Sequence, residues 1–312
     1  MFNNSEFVGY EVYLASDQDF KYLPEMMKHL NISSVHQPRK DFDLSSTGEL
    51  GDKSFKNMKD LVAVLNSASF KGTIVIHGNY INEYLSERRD HIKLLADRVN
   101  SLKEELSDSI KVAFETDIAY FNLIGSNRSL LVTPDDFREL GSHLEIPFHI
   151  VLDIEHIYVT AVFEDFIKKY PQFYQEIFSL ADTASQQKQA LKKTWFKYLN
   201  DKGPTGVEDL VRASLDEFAK LRSNILFFHF NGTKPDAYWF DEKAFLPLSG
   251  EHLCLGESDD KLNYPMLKDY LPKLIATEPI NIVMEIWPRG ASHETYHSES
   301  IKSRDHLKRV LC

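Results

Sequence analysis

The stretch His149-Ile150-Val151-Leu152-Asp153-Ile154-Glu155-His156 decides how this chain is read. A short apolar run of strand type ends on a carboxylate, with an imidazole three residues on. The arrangement recurs along the chain. Ile32-Ser33-Ser34-Val35 runs into His36, Thr73–Ile76 into His77, and Lys111–Phe114 into Glu115. Ile225–Phe228 runs into His229, Asn281–Met284 into Glu285, and His252 stands at the edge of the weaker run Leu253-Cys254-Leu255. In a parallel barrel all strand C-termini open onto one face, where active sites assemble. Residues scattered over the chain would then converge on one pocket. The mix of imidazole and carboxylate is what Zn, Mn or Fe sites use.

Working outward, strand-like and helix-like segments alternate. Val8–Leu14 reads as strand one and Phe20–Leu30 as a short helix. Ile32–Val35 is strand two, stopped by Pro38. Residues 41–53 are polar and turn-rich, hence a loop. Ser54–Ser69 carries Met58, Leu61, Val62 and Leu65 at helical spacing before strand three, Thr73–Ile76. Ser86–Ser107 is the clearest helix, with Ile92, Leu95, Ala96 and Val99 on one face. Ile110–Phe114 is strand four. Thr133-Pro134-Asp135-Asp136 opens a helix with a cap, a proline and first-turn acids, and His149–Leu152 is strand five.

Thr160–Asn200 then breaks the rhythm. It is long, aromatic and Lys-rich, and reads as two helices inserted after strand five. Such an insertion is either a peripheral hairpin or a lid over the active-site face. After Gly203-Pro204-Thr205-Gly206, Val207–Leu221 resumes as a helix. Ile225–Phe228 is strand six, the segment near His252–Leu255 strand seven, and Ile280–Met284 strand eight. Pro265–Ile275 and Ser298–Leu311 are helical. The expected fold is a (β/α)8 TIM barrel, one domain over 1–312, with a helical insertion at 160–200.

Composition narrows the function. A chain of 312 residues with 43% hydrophobic content can bury a large core. The formal net charge of -11 gives no whole-protein electrostatic footprint for nucleic acid or an anionic membrane. Two cysteines, Cys254 and Cys312, make neither a disulfide framework nor a Cys-based zinc motif. The N-terminus lacks a basic segment followed by an apolar one, and no run of about 18 apolar residues occurs. A cytoplasmic protein is expected.

One histidine at a strand end is more often packed than ligating; His36, His77, His156, His229 and His252 together are a different matter. Glu115 and Glu285 follow runs that should be buried, where a carboxylate needs a compensating cation. A salt-bridge network would serve, but Lys and Arg are missing from these strand ends, so a metal is the simpler compensation. His293 and His297 match a His-Glu-x-x-His pattern, yet no long apolar helix carries them, and they read as exposed. Cys254 reads as a small buried residue. Arg289 and Lys234 are either substrate contacts or solvated. Tyr238 and Trp239 are either a pocket wall or core.

The motifs Val35-His36-Gln37-Pro38, Ile76-His77-Gly78-Asn79, Phe114-Glu115-Thr116-Asp117 and Leu152-Asp153-Ile154-Glu155-His156 lead to a resemblance. So do Phe228-His229-Phe230-Asn231-Gly232, the segment from Gly250 to Glu257, and Met284-Glu285-Ile286. Together they resemble the xylose isomerase-like barrels, a superfamily of sugar isomerases, sugar epimerases and the endonuclease IV family of DNA repair enzymes. By resemblance, Glu115, Asp153, His229 and Glu285 supply a central metal site. The endonuclease IV-like branch, closest in ligand pattern, adds histidines and holds three zinc ions. That implies His36 and His77 with Glu115 at one ion, Glu115 bridging to a second, and His156 with His252 at a third. Two departures stand out. The family has Asp, any residue, His near strand seven, where this chain has Gly250-Glu251-His252. The loop after strand two, which in the family wedges into duplex DNA, offers only Phe42 and Leu44.

Three functions follow. The first is a metal-dependent phosphoester hydrolase with two or three Zn ions, acting on a phosphodiester such as DNA with an abasic site. There the ions would activate water for in-line attack. The second is a sugar or sugar phosphate isomerase or epimerase with one Mn, Co or Mg ion. There Glu115 and Glu285 exchange a proton as acid and base. The third is a non-catalytic barrel that binds a partner through 160–200. The sequence leaves the oligomeric state open.

Overall fold

Each ligand-bearing run becomes a parallel strand. The computed structural model describes residues 9–38, 42–78, 80–81, 88–118, 128–172, 185–233, 254–257, 260–276, 280–286 and 293–311. Among the described residues seven strands form the main sheet: β1 Tyr10–Tyr13, β2 Ile32–His36, β3 Gly72–Ile76, β4 Ile110–Glu115, β5 Phe148–Asp153, β6 Ile225–Phe230 and β7 Ile282–Met284. They follow one another in the sheet in chain order. Helices between them are α1 Leu23–His29, α2 Gly48–Ser67, α3 Arg88–Asn100, α4 Pro134–His143, α5 Ile154–Lys169, α6 Ser185–Ala219 and α7 Tyr264–Leu274, with α8 His293–Leu311 after β7. Strand–helix alternation with parallel neighbours in chain order is the α/β TIM-barrel class that the sequence predicts. Among the described residues no helix is long and apolar enough to cross a membrane.

The chain forms two compact units, one of Asn4–Asp117 with Leu130–Val151, the other mainly Leu152–Cys312. In the first unit β2 pairs β3 with His36 opposite Val75, and β4 pairs β5 with Glu115 opposite Val151. Ile74, Val75, Ile76, Ala113, Phe114 and Ile150 are buried on both faces of the sheet, which is why these strands read as continuous apolar runs rather than alternating ones. Met58, Leu61, Val62 and Leu65 of α2 and Ile92, Leu95, Ala96 and Val99 of α3 are buried as their helical spacing predicts. Thr133 opens α4 as expected. The Asp136 carboxylate accepts from the Thr133 backbone N–H at 2.7 Å and from its hydroxyl at 2.8 Å. Arg88 Nε donates to the same carboxylate at 2.9 Å, joining α3 to α4 through a buried ion pair.

In the second unit β6 pairs β7 with His229 opposite Val283, and the Glu285 N–H donates to the Phe230 carbonyl at 2.9 Å. Asn263 caps α7, its side chain accepting from the Met266 N–H at 3.0 Å. Its own N–H donates to the Tyr158 hydroxyl of α5 at 3.1 Å. Burial pushes that phenol up to about 12.

Three assignments differ from those the sequence predicts. Helix α5 starts at Ile154, not at 160, because Asp153 serves as its cap and accepts from the His156 N–H at 3.1 Å. His156 therefore stands in a helical first turn rather than in a loop. Helix α2 starts at Gly48, inside the expected loop 41–53. Phe42 and Leu44 of that loop are buried. Strand seven does not form over its described part. Cys254 and Leu255 lie in a turn, where the Leu255 N–H donates to Ser303 Oγ at 3.0 Å instead of to a neighbouring strand.

Within 160–200 the described aromatics pack on one another. Phe166 of α5 meets Trp195 edge-on at 4.9 Å and Tyr198 at 5.3 Å, and Trp195 stacks on Tyr198 at 5.6 Å. The Tyr198 hydroxyl donates to Asp165 Oδ2 at 2.7 Å. Burial and that carboxylate raise the Tyr198 pKa well above the usual phenol value. Gly203 has a positive φ of 64° inside α6, just before Pro204, where the sequence places a break. Residues 173–184 lie outside the described residues.

Candidate metal centre

In the first unit β2, β3 and β4 end side by side, and the residues at or just past their ends meet. His36, His77 and Glu115 each offer a ligand atom, all within 4.8 Å of one another, and all three are buried. His36 Nε2 lies 2.8 Å from Glu115 Oε2, and His77 Nε2 lies 3.5 Å from the same oxygen. Each ring has its other nitrogen occupied. His36 Nδ1 is 3.3 Å from the Gln37 carbonyl, an acceptor, so this nitrogen carries a proton. His77 Nδ1 is 2.8 Å from Asp117 Oδ1. A carboxylate behind one ring nitrogen orients the imidazole and makes the other nitrogen a better ligand. Among the described residues His77 Nε2 is buried and makes no hydrogen bond. The His36 ring is wedged between Tyr13, stacked at 4.6 Å, and His77 at 4.5 Å, which fixes its plane.

A buried imidazole nitrogen with a fixed tautomer, two such rings and a carboxylate fit a Zn²⁺ ion, which takes N and O ligands in this number. His36, His77 and Glu115 are the residues that would hold it.

The second unit carries a different donor set. Asp153 at the end of β5, His229 on β6 and Glu285 after β7 offer atoms within 4.8 Å of one another. His229 Nδ1 lies 3.5 Å from Glu285 Oε1. Asp153 also belongs to a second group with Glu155 and His156, again within 4.8 Å. His156 Nε2 is 3.8 Å from Asp153 Oδ2 and 3.7 Å from Glu155 Oε2. Behind these groups stand neutral donors. Asn231 Nδ2 donates to Asp153 Oδ2 at 3.3 Å, and Thr233 Oγ1 donates to Glu155 Oε1 at 3.4 Å.

Of the residues singled out from the sequence, the structure thus brings His36 and Glu115 to His77, and His229, Glu285 and His156 to Asp153. His252, with Gly250 and Glu251, lies outside the described residues, as do Lys234, Tyr238, Trp239 and Arg289. His297 is exposed on α8, as expected for a chance motif. Cys254 is buried near Glu257 and Glu299. Burial first, then those carboxylates, push its thiol up to about 11, away from the reactive thiolate. Sequence reasoning missed Asp117, Glu155, Asn231 and Thr233 as site residues. The available signal was their place two to four residues past a strand-end ligand, with all but Thr233 inside motifs already quoted.

The fold is shared with solved structures. The D-tagatose 3-epimerase-like protein superposes with a TM-score of 0.59 at 16% identity, over 98% of this chain and 89% of its own. The IolI protein with a bound zinc atom superposes with a TM-score of 0.57 at 10% identity, over 96% of this chain and 88% of its own. A xylose isomerase domain protein from Alicyclobacillus acidocaldarius gives 0.52 at 11% identity, over 96% and 88%. The chain therefore has the fold of the xylose isomerase-like TIM barrels. No protein-family model matches the sequence. No curated protein matches it.

Proposed function

We propose that this protein is a metal-dependent phosphoester hydrolase that holds more than one divalent ion per chain. The observation that carries this reading is the buried His36–His77–Glu115 group, with Asp117 behind His77. A mononuclear sugar enzyme works with one carboxylate-rich centre and has no need of a second, histidine-rich ligand set. Here His36, His77 and Glu115 would hold one ion, and Asp153, His229 and Glu285 another. His156, with His252 by resemblance, would serve a third. Bound Zn²⁺ supplies a Lewis acid that neutralises phosphate charge and lowers the pKa of water. The chain's own residues do the rest. Asp117 keeps the His77 ring in one tautomer. Asn231 and Thr233 hold carboxylates that would otherwise turn to solvent.

The substrate class is a phosphodiester. Phe42 and Leu44, the only wedge candidates after β2, are both buried, so a duplex-intercalating mode finds no support there. DNA with an abasic site remains the first nucleic acid to test by resemblance, next to a small aryl phosphodiester. The experiment is elemental analysis of chelator-free protein together with hydrolysis of both substrates. Two or more Zn ions per chain with metal-dependent turnover bears the reading out, and a single ion per chain sinks it.

A second reading has one specific observation in its favour. Asp153, His229 and Glu285 belong to a carboxylate-rich group, which is the donor type of a single Mn, Co or Mg centre. The D-tagatose 3-epimerase-like neighbour carries an epimerase name. In this reading Glu115 and Glu285 exchange a proton on a sugar, and His36 and His77 contact substrate. Epimerisation of a ketose by protein loaded with one Mn ion would select it.

A further inference from the structure

We propose that Glu155 is a metal ligand, completing a site with Asp153 and His156; this rests on the multinuclear reading above. Glu155 occupies the second position of α5, two residues past Asp153. An exposed or pairing glutamate is ordinary in a helical first turn. This one is fully buried, as is Asp153, and His156 is 4% exposed. Two carboxylates withdrawn from water within reach of one another repel, and a cation held together with His156 offsets the charge of both.

Three further observations show that the group is aimed rather than accidental. The cap geometry of α5 uses Asp153 Oδ1 on the His156 N–H, which leaves Oδ2 as the oxygen 3.8 Å from His156 Nε2. Glu155 is held from behind by Thr233 Oγ1, and Thr233 is itself fixed, its N–H donating to Asp260 Oδ1 at 3.2 Å. Asp260 is anchored in turn by the Gly256 N–H at 2.8 Å and the Tyr264 hydroxyl. Asn231 is fully buried against the group. Its Nδ2 donates to Asp153 Oδ2, and its Oδ1 makes no hydrogen bond among the described residues. An amide oxygen in that position suits a cation or a donor carried by one. Asn231 and Thr233 are positioning residues; Glu155, Asp153 and His156 are the ligands.

The test counts zinc rather than turnover. Wild-type protein, Glu155→Gln, His77→Gln and the double variant are loaded with Zn²⁺, dialysed, and analysed for metal per chain. Glu155→Gln should retain one ion fewer than wild type. His77→Gln should lose a different ion, so that the double variant loses both. Glu155→Asp should keep the ion with weakened affinity. Wild-type stoichiometry and affinity in Glu155→Gln would overturn the proposal. Should Glu155→Gln fail to fold, Thr233→Val serves instead. Removing this outer partner should weaken the weakest zinc by about 10–100-fold in a competition titration with a chromophoric chelator, and unchanged affinity there overturns the proposal equally. The two readings separate cleanly. A lost ion in Glu155→Gln without any phosphodiester turnover in wild type keeps Glu155 as a ligand and removes the hydrolase. Turnover with an unaltered ion count in Glu155→Gln does the reverse.

Discussion

The two ligand-bearing regions use the same device, a strand that ends on a titratable residue, and arrive at opposite chemistries. In the first unit two imidazoles flank one carboxylate, and the supporting group is charged, Asp117 behind His77. In the second, three carboxylates, Asp153, Glu155 and Glu285, gather with two imidazoles, and the supports for Asp153 and Glu155 are neutral, Asn231 and Thr233. An anion behind an imidazole strengthens a weak donor, whereas a neutral hydrogen bond steadies a carboxylate without adding to its charge. Imidazole-rich donor sets suit borderline ions such as Zn²⁺, and carboxylate-rich sets suit harder ions. The difference implies unequal fragility. His36 and His77 each serve one group, while Asp153 serves two groups and caps α5.

Asp153→Asn is therefore the largest lesion expected. It should empty both groups of the second region and lower turnover on the order of 10³-fold, while His36 and His77 keep their ion. His36→Gln should leave the Asp153 groups loaded. Metal content of the two variants, measured side by side, checks the asymmetry; equal losses would erase the distinction between the regions.

Trp195→Ala probes the same comparison through packing. Trp195 is buried against Phe166 of α5, the helix that Asp153 starts. Its removal should cost about 3–5 kcal/mol of stability, read as a lowered denaturation midpoint. Zinc content should stay at the wild-type value, because the capped first turn of α5 is held by Asp153 and Thr233 rather than by the tryptophan. Asp117→Asn is milder for stability and acts on metal alone. It keeps the shape behind His77 but removes the charge, and zinc affinity of the first region should fall about 10–100-fold in a chelator competition. An unchanged affinity would mean that Asp117 orients nothing.

What was legible in the sequence divides along the same line. His36, His77, Glu115, Asp153, His229 and Glu285 were readable because each interrupts a run of Val, Ile, Leu or Phe that only a buried strand explains. Glu155 and Asp117 were not. A carboxylate two residues past a strand end looks like an ordinary loop or helix-start acid, and only its burial reveals otherwise. Asn231 and Thr233 carry no charge to stand out. The start of α5 was misplaced because Asp153 plays strand end and helix cap at once, so the chain passes from one element to the next with no turn residue to mark the change. Over its described part, Cys254-Leu255, the expected strand seven gives way to a turn that Ser303 stabilises at Leu255.

The smallest expected effect is on the pH dependence of stability near neutrality, to which a described imidazole in each unit contributes. Burial, helped by Lys111, holds the His149 imidazole of β5 below its ordinary value of 6.5. Burial also lowers His306 of α8, with Asp260 opposing and Arg309 assisting. Both are depressed imidazoles, so the sign is fixed. Below pH 6.5 the unfolded chain takes up protons that the folded chain refuses, and stability falls as pH drops through that value, levelling off only below the folded pKa. His149→Gln and His306→Gln should each flatten the acid side of the stability curve relative to wild type, leaving stability above pH 7 unaltered in its slope. Protons also displace metal from the ligand imidazoles, but that loss is common to wild type and variants and cancels in the difference between their curves. A variant curve parallel to wild type from pH 7 down to 5 would show that the imidazole in question is protonated in the folded chain as readily as in the unfolded one.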